Sequence, residues 1–400
     1  MAKPRLSVVV VSHGRPAALC RCLLGFHQQD AGDVEVVVVA DPDGLSAISR
    51  LPFHARLKTA LQQGENISTA RNDGVALAAG DVVAFVDDDA VPAPTWATRV
   101  KAAFAEQPMI DAMTGPVIGR NGISLQWGET GVDRTGRDRN LSDGDGVVRK
   151  LHGTNMAMRR SVFDRIGGFD PAFAFYLDDT DFAIRMAEAG LQSALTWDMI
   201  VHHGFAASAR RSEDRVPLSL HDIGASTAVF LRKHASEGEI EAQIDQLVAD
   251  QRRRLLLLAR RRKIDARAMR ELMESLHAGL EDGRQRRTSH PQVTPANLPF
   301  LPLRDAPATG WSILSGWRHQ ASRLRREAAD LVASGQRVSL FLFEPTPRKH
   351  KVSFTEGGWW EQTGGLFGPS DRDGPPVQAW RFQTRLDTEL ARVRTERGHD

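Results

Sequence analysis

The chain has 400 residues, 41% apolar and 26% charged, and its 52 lysines and arginines nearly balance 50 aspartates and glutamates for a formal net charge of +2. These values exclude a disordered chain and a protein built for general nucleic-acid binding, and the length suffices for two or three domains that fold without staples. Both cysteines, Cys20 and Cys22, fall on one predicted helix without metal-ligand neighbours, and no apolar run is long enough for a signal peptide or membrane span, so a cytoplasmic protein is expected, at most peripheral to a membrane.

Residues 6–11, LSVVVV, form a valine-dominated run of the kind that sheets bury on both faces. The turn SHGRP follows, and then a helical pattern over 17–29. Residues 34–40 repeat the strand signal and end at DPDG, which reads as another turn; a third strand is expected near 55–61. The stretch GENISTARNDGVALAAGD predicts a helix that begins after Asn66. A fourth strand over 81–86 delivers the chain into Asp87, Asp88 and Asp89. Strands alternating with helices predict a parallel sheet covered on both faces, with ligands at the carboxyl ends of its strands. SHGR, DPDG and the aspartates all sit at such ends, so one shared pocket is expected.

Residues 119–150, rich in Gly, Asp, Asn and Arg, read as a long mobile loop carrying Trp127. Structure resumes at HGTNMAMRRSVFDRIGGFDPAF, followed by a helix in DDTDFAIRMAEAG and a strand in LQSALTWDMIVHH. After Pro217 a helix is expected over 218–234, and a strongly helical stretch over 239–286 carries QRRRLLLLARRRK. A Pro-rich linker over 288–307 leads to a C-terminal part with one clear strand, 338–343, and a loop-like Trp/Gly-rich stretch after it. The expected organisation is 1–235, 236–287 and 288–400.

Three consecutive carboxylates repel one another, and a solvated acidic turn or a bound cation would each accommodate them. Side chains two apart on an extended segment share a side, so Asp87 and Asp89 converge while Asp88 points away. Two such carboxylates suit Mg²⁺ or Mn²⁺, with phosphate oxygens and water as further ligands. In YLDDTDFAIRM, Asp178, Asp179 and Asp181 surround a helix start; capping accounts for one, and one that faces a pocket is a candidate general base. In VHHGF, His202 and His203 point to opposite faces of a strand, so at most one enters the pocket, and an imidazole there favours manganese.

VVVVSHGRP, NISTARNDG, FVDDDAVP, HGTNMAMRRSVFDRIGGFD, LDDTDFAIRMAEAG and VHH, in this order over about residues 5–235, resemble the motif series of family 2 inverting glycosyltransferases. The resemblance implies an α/β GT-A fold, a Rossmann-like mixed sheet with helices on both faces, here with a helical C-terminal extension. It implies metal-dependent, inverting transfer of a sugar from a nucleotide-diphosphate sugar to an acceptor hydroxyl in polysaccharide or other glycoconjugate synthesis. Asp87 and Asp89 match the family's DxD motif, with Asp88 between them at the donor site. Asp179 matches the catalytic base, and Asp178 stands where the family often has Glu, on the acceptor side with Trp127. His203 matches a late histidine that completes an Mn²⁺ or Mg²⁺ site with Asp87 and Asp89. Ser12, Asp41, Arg71 and Asn155 match donor contacts, although DPDG departs from the commoner Asp-Asp-Gly-Ser.

The implied partners are a nucleotide-diphosphate sugar and a glycan, lipid-linked or protein acceptor, with no nucleic acid. QRRRLLLLARRRK suits either peripheral contact with an anionic membrane or a basic surface helix packed on the body. Two alternatives stand beside the transferase. A sugar nucleotidyltransferase would want a Gly-rich triphosphate loop with several cations, where SHGRPAAL supplies only Arg15. A non-catalytic binding module would not need Asp87, Asp89, Asp179 and His203 together.

Overall fold

The computed structural model describes residues 3–144, 146–204, 210, 212, 216–306, 310–371 and 374–398. The valine runs become strands β1 (Leu6–Ser12), β2 (Val34–Ala40), β3 (Leu57–Leu61) and β4 (Val82–Val86), alternating with helices α1 (Pro16–His27), α2 (Pro42–Ile48) and α3 (Ile67–Leu77). β1 pairs in parallel with β2 and β4, and β2 with β3. The chain continues through β5 (Ala90–Pro92), α4 (Trp96–Glu106), β6 (Ala112–Thr114), β7 (Val117–Ile118) and β8 (Leu125–Trp127). Next come β9 (Gly131–Val132), β10 (Asp138–Arg139), β11 (Val148–Arg149), β12 (Asn155–Arg159), α5 (Ser161–Ile166), α6 (Asp178–Glu188), β13 (Ser193–Leu195) and β14 (Val201–His203). The central sheet runs β13-β6-β12-β4-β1-β2-β3 and is mixed, because β12 lies antiparallel between β4 and β6.

Period-two alternation explains the burial of both faces. Val8 and Val10 join Leu19, Leu23, Trp96 and Phe104 of α1 and α4 in one core, whereas Val9 and Val37 join Val75, Phe163 and Phe182 of α3, α5 and α6 in another. Two features differ from expectation. DPDG opens α2 instead of forming a free turn: Asp41 caps the helix, its Oδ1 accepting from Gly44 N at 2.7 Å, and Pro42 occupies the first helical position. Residues 119–150 are not a bare loop. β7 and β8 extend a second sheet, β5-β14-β7-β8, and β9, β10 and β11 form a third.

The helical stretch after residue 217 is three helices, α7 (His221–His234), α8 (Ile240–Arg260) and α9 (Ala266–Gln285). α7 and α9 cross closely because Gly279 and Gly283 face backbone: an added Cβ would lie 2.0 Å from His221 O and 2.2 Å from Ala225 O. The linker is extended but held to the first unit, with Leu303 N donating to Val34 O at 2.7 Å and Leu301 N to the buried Glu35 at 2.9 Å. The C-terminal part is an α/β unit of its own, not a single strand with loops. β15 (Trp311–Trp317), α10 (Ala321–Ala333), β16 (Arg337–Glu344), β17 (Lys351–Phe354), β18 (Trp360–Gly365) and α11 (Phe382–Arg397) build a sheet of order β15-β16-β18-β17. α10 covers one face of it through Leu324 on Leu340 and Leu342, and α11 the other through Leu386 and Val393 on Phe341 and Phe343.

Candidate functional site

The carboxyl ends of β1, β2 and β4 meet, as their polar termini suggest. Ser12 Oγ donates to Asp88 Oδ2 at 2.6 Å, and Gly14 N donates to Asp41 Oδ2 at 2.6 Å. Arg15, just ahead of α1, reaches Asp88 at 2.6 Å and Asp89 at 3.1 Å. Asp88 is fully buried, and burial, with Asp89 and Asp87 adding to it against Arg15, pushes its carboxyl up to about 7. Asp88 therefore braces the floor of the pocket. Asp88 is not turned away from Asp89 as strand alternation would have it: residues 88 and 89 form a turn and share the Arg15 guanidinium. The Ser12 hydroxyl serves the same brace, and Asp41 ties α2 to the turn after β1.

Asp87, Asp89 and His203 each offer one ligand atom within 4.8 Å of the others. His203 Nε2 lies 3.1 Å from Asp89 Oδ1, and Thr154 Oγ1 donates to Asp87 Oδ2 at 2.5 Å. Two carboxylates and an imidazole form a donor set suited to a divalent cation with some preference for nitrogen, such as Mn²⁺. His202, the neighbour on β14, faces the other way: its ring lies 4.6 Å from that of Trp360, tilted by 60°, and its Nε2 lies 3.5 Å from Glu396, both in the C-terminal unit. Trp127 sits over the cluster, its ring 5.6 Å from those of both His152 and His203.

The second acidic cluster divides into three roles. Tyr176 and Leu177 both take left-handed backbone, φ 76° and 65°, an arrangement that costs non-glycine residues about 1–3 kcal/mol each and turns the chain abruptly into α6. Asp178, at the start of α6, is buried against Arg71, whose guanidinium also lies 3.7 Å from Asp87; burial pushes the Asp178 carboxyl up to about 7 against the pull of Arg71. Asp179 stays half-buried, accepting from Gly153 N at 2.8 Å and from Thr180 Oγ1 at 3.1 Å. Desolvation works against the charge on Lys150, but Asp179 and Asp138 outweigh it and raise its pKa. Asp181 points into the body, 2.8 Å from Arg185, 2.7 Å from Lys233 and 2.8 Å from His234, and although burial opposes ionisation these partners hold its carboxyl well below the usual range.

Asn155 corrects an expectation. It is fully buried, its Nδ2 donates to Pro116 O at 3.1 Å and Met199 O at 2.6 Å, and its Oδ1 accepts from Trp96 Nε1 at 3.0 Å. This amide frames the sheet beneath the site and has no free face for a donor. Residue-by-residue reading missed Arg15, His152, Gly153 and Thr154, although the last three lie in the quoted HGTN stretch. Gly153 is required there: a Cβ would stand 2.5 Å from Arg71 Nη2.

The family model "Glycosyltransferase like family 2" matches residues 4–215. The glucosyl-dolichyl phosphate glucuronosyltransferase of Haloferax volcanii is 26% identical over 173 residues, covering 41% of this chain and 46% of that protein. The validoxylamine A glucosyltransferase of Streptomyces hygroscopicus subsp. limoneus is 24% identical over 266 residues, covering 58% of this chain and 57% of that protein. The chain thus spans about half the length of these curated relatives. Among solved structures, a mannosyltransferase from Pyrobaculum calidifontis in complex with GDP-Man and Mn²⁺ superposes with a TM-score of 0.42 at 18% identity, over 71% of this chain and 88% of that one. With a family match over more than half of its residues, the chain belongs to the family described as glycosyltransferase like family 2.

Proposed function

We propose that the protein transfers a sugar from a nucleotide-diphosphate donor to an acceptor hydroxyl in one inverting displacement, with Asp179 as the base and Asp87, Asp89 and His203 as ligands of a divalent cation. The observation that carries this reading is the convergence of those three side chains within 4.8 Å beside an Asp179 that remains open to solvent. Asp87, Asp89 and His203 would hold the cation, which when bound would supply positive charge to the leaving diphosphate. Asp179 takes the proton of the acceptor hydroxyl as its oxygen bonds to the anomeric carbon, while the bond to the phosphate oxygen breaks and its electron pair leaves with the diphosphate. Gly153 N–H and Thr180 Oγ hold the Asp179 carboxylate in one orientation, and Arg71 keeps the adjacent Asp178 from competing for the proton. Asp179→Asn should lower transfer about 10²–10⁴-fold with donor affinity retained. Near-normal turnover by that variant would exclude Asp179 as the base.

An acceptor carried on a lipid fits two observations. Curated relatives include the dolichyl phosphate enzyme above and a mycobacterial N-acetylglucosaminyl-diphospho-decaprenol rhamnosyltransferase, 33% identical over 95 residues, 24% of this chain and 30% of that protein. On α8, Arg252, Arg253, Leu256, Leu257 and Arg260 recur at helical spacing on one open face, with Arg261 at its C-cap and Leu256 46% and Leu257 50% exposed. No helix among the described residues is long and apolar enough to cross a membrane. Paired leucines between arginines instead suit the headgroup region of an anionic bilayer, at roughly 1 kcal/mol per cation near the surface. Arg254 of the same helix and Asp179 both act on the Tyr176 phenol, so α8 approaches the Asp179 side of the site. Co-sedimentation with phosphatidylglycerol vesicles should fall sharply for the Leu256→Asn/Arg260→Glu variant; unchanged binding would remove the membrane from the proposal.

A further inference from the structure

Of the eight tryptophans, only Trp127 and Trp197 are exposed, at 37% and 57%. The other exposed aromatic rings among the described residues are Phe175 and Tyr176, at the entry to α6 just ahead of Asp179. Large apolar side chains scattered singly over a surface need no explanation, but rings gathered around one site do.

Trp127 and Leu125, the latter 48% exposed, lie two apart on β8 and so share one side of that strand. Gly128, directly after β8, joins Trp197 to them: a Cβ there would stand 3.0 Å from Leu125 Cδ2 and 3.5 Å from Trp197 Cη2. The carbonyl of Gly128 accepts from His152 Nε2 at 3.0 Å, and the His152 ring lies within 12° of parallel to Trp127. The next residue, Gly153, donates its amide to Asp179. An apolar strip thus runs from the candidate base past His152 and Trp127 to Leu125 and Trp197.

The chemistry of the strip and its rim selects the occupant. A pyranose carries C–H groups on its faces and hydroxyls around its edge, so it lies flat on an indole and needs polar partners at the border. That border holds Gln126, Asp198 and the Glu129–Arg149 pair. Asp198 is exposed and lies 3.9 Å from Arg99. Each cation here stands beside an acid, so the strip lacks the basic excess of α8 that would draw an anionic bilayer. An uncharged sugar chain fits aromatic faces with a polar, charge-balanced border.

We propose that the acceptor is an oligosaccharide, with its reacting sugar at Asp179, the following unit on Trp127 and the next on Leu125 and Trp197. That the chain bound here is the acceptor rests on the transferase reading, whereas the affinity of the strip for sugar does not.

The test is saturation-transfer NMR on the full chain, with no donor or divalent cation. The probes are neutral oligosaccharides of one to four units built from glucose, mannose, galactose or N-acetylglucosamine. Wild type should bind at least one series, with affinity rising roughly ten-fold from one unit to three. Trp197→Ala and Leu125→Ser should each weaken the three-unit probe roughly five- to ten-fold, with a melting point within about 2 °C of wild type because both side chains are exposed. The control Met109→Ser, at a residue 80% exposed between α4 and β6, should leave binding unchanged. Absence of binding across the probes, or the same length dependence in wild type and both strip variants, overturns the proposal. Phosphatidylcholine vesicle binding that Trp197→Ala abolishes, with sugar binding unchanged, would assign the rings to a bilayer and overturn it too. Because binding is read without turnover, its failure leaves the transferase reading standing, and a failure to detect sugar transfer leaves the sugar-binding strip standing.

Discussion

Asp181→Asn separates the structural member of the second acidic cluster from the chemical one. The wild-type carboxylate is fully buried between Arg185, Lys233 and His234 at 2.7–2.8 Å, and charge-assisted hydrogen bonds contribute about 1.5–3 kcal/mol each. The loss is not their full sum. Arg185 keeps the carbonyls of Ile166 and Gly168, both at 2.9 Å, and Lys233 keeps Asp170 at 2.9 Å. The net cost should fall near the lower end of the range for a broken buried ion pair, about 3 kcal/mol. For a cooperative unit of 150–250 residues that corresponds to a melting point lowered by roughly 6–12 °C.

The pH dependence has a definite sign. The folded pKa of Asp181 lies below its ordinary value of 3.8, so its stabilisation is complete above that value and is lost as the pH falls through the folded pKa. Scanning calorimetry of the two proteins should therefore show a constant gap from neutral pH down to about pH 5, narrowing only in more acidic buffer. A gap smaller than about 2 °C at neutral pH, or one that widens on acidification, would refute the clamp between α6 and α7.

Three further outcomes follow from the site. Gly153→Ala places a methyl group against Arg71 and displaces the amide that orients Asp179, so transfer should fall at least ten-fold while the melting point changes little; kinetics with any accepted donor will show it. His203→Ala should weaken Mn²⁺ binding by an order of magnitude or more, read as free Mn²⁺ in electron paramagnetic resonance, and equal affinity would exclude this imidazole from the site. Trp360→Ala opens a hole between the two α/β units and should cost about 3–5 kcal/mol, seen as early unfolding of the C-terminal unit in urea; a stability unchanged within about 1 kcal/mol would show that the contact of Trp360 with His202 contributes nothing to docking.

Much of the catalytic unit is legible because its residues obey local rules. Valine runs buried on both faces, a cap at Asn66 and period-two alternation in VHH all follow from the backbone alone, whereas DDD turns and brings Asp88 and Asp89 onto one arginine. What escaped depends on partners distant in sequence. Asn155 reads as a donor contact until Trp96, Pro116 and Met199 are seen to occupy its amide. The strands within 119–150 are only two or three residues long and carry polar side chains, so they have no periodicity to detect. DPDG has the composition of a turn, and only the Asp41 cap shows that it begins a helix. In the C-terminal unit, β17 and β18 are rich in Gly, Trp and polar residues that acquire meaning only against β16 and the catalytic unit.

Strand β14 carries two histidines back to back, one toward the candidate cation and one toward Trp360 and Glu396. Two binding events that bias the same short strand are thermodynamically linked, and the linkage is reciprocal. Whatever factor C-terminal docking adds to cation affinity, cation binding must return to docking. The unfolding midpoint of the C-terminal unit should then rise with Mn²⁺ concentration, although that unit contributes no ligand to the ion. Unfolding of the second α/β unit would then report whether the catalytic unit is loaded.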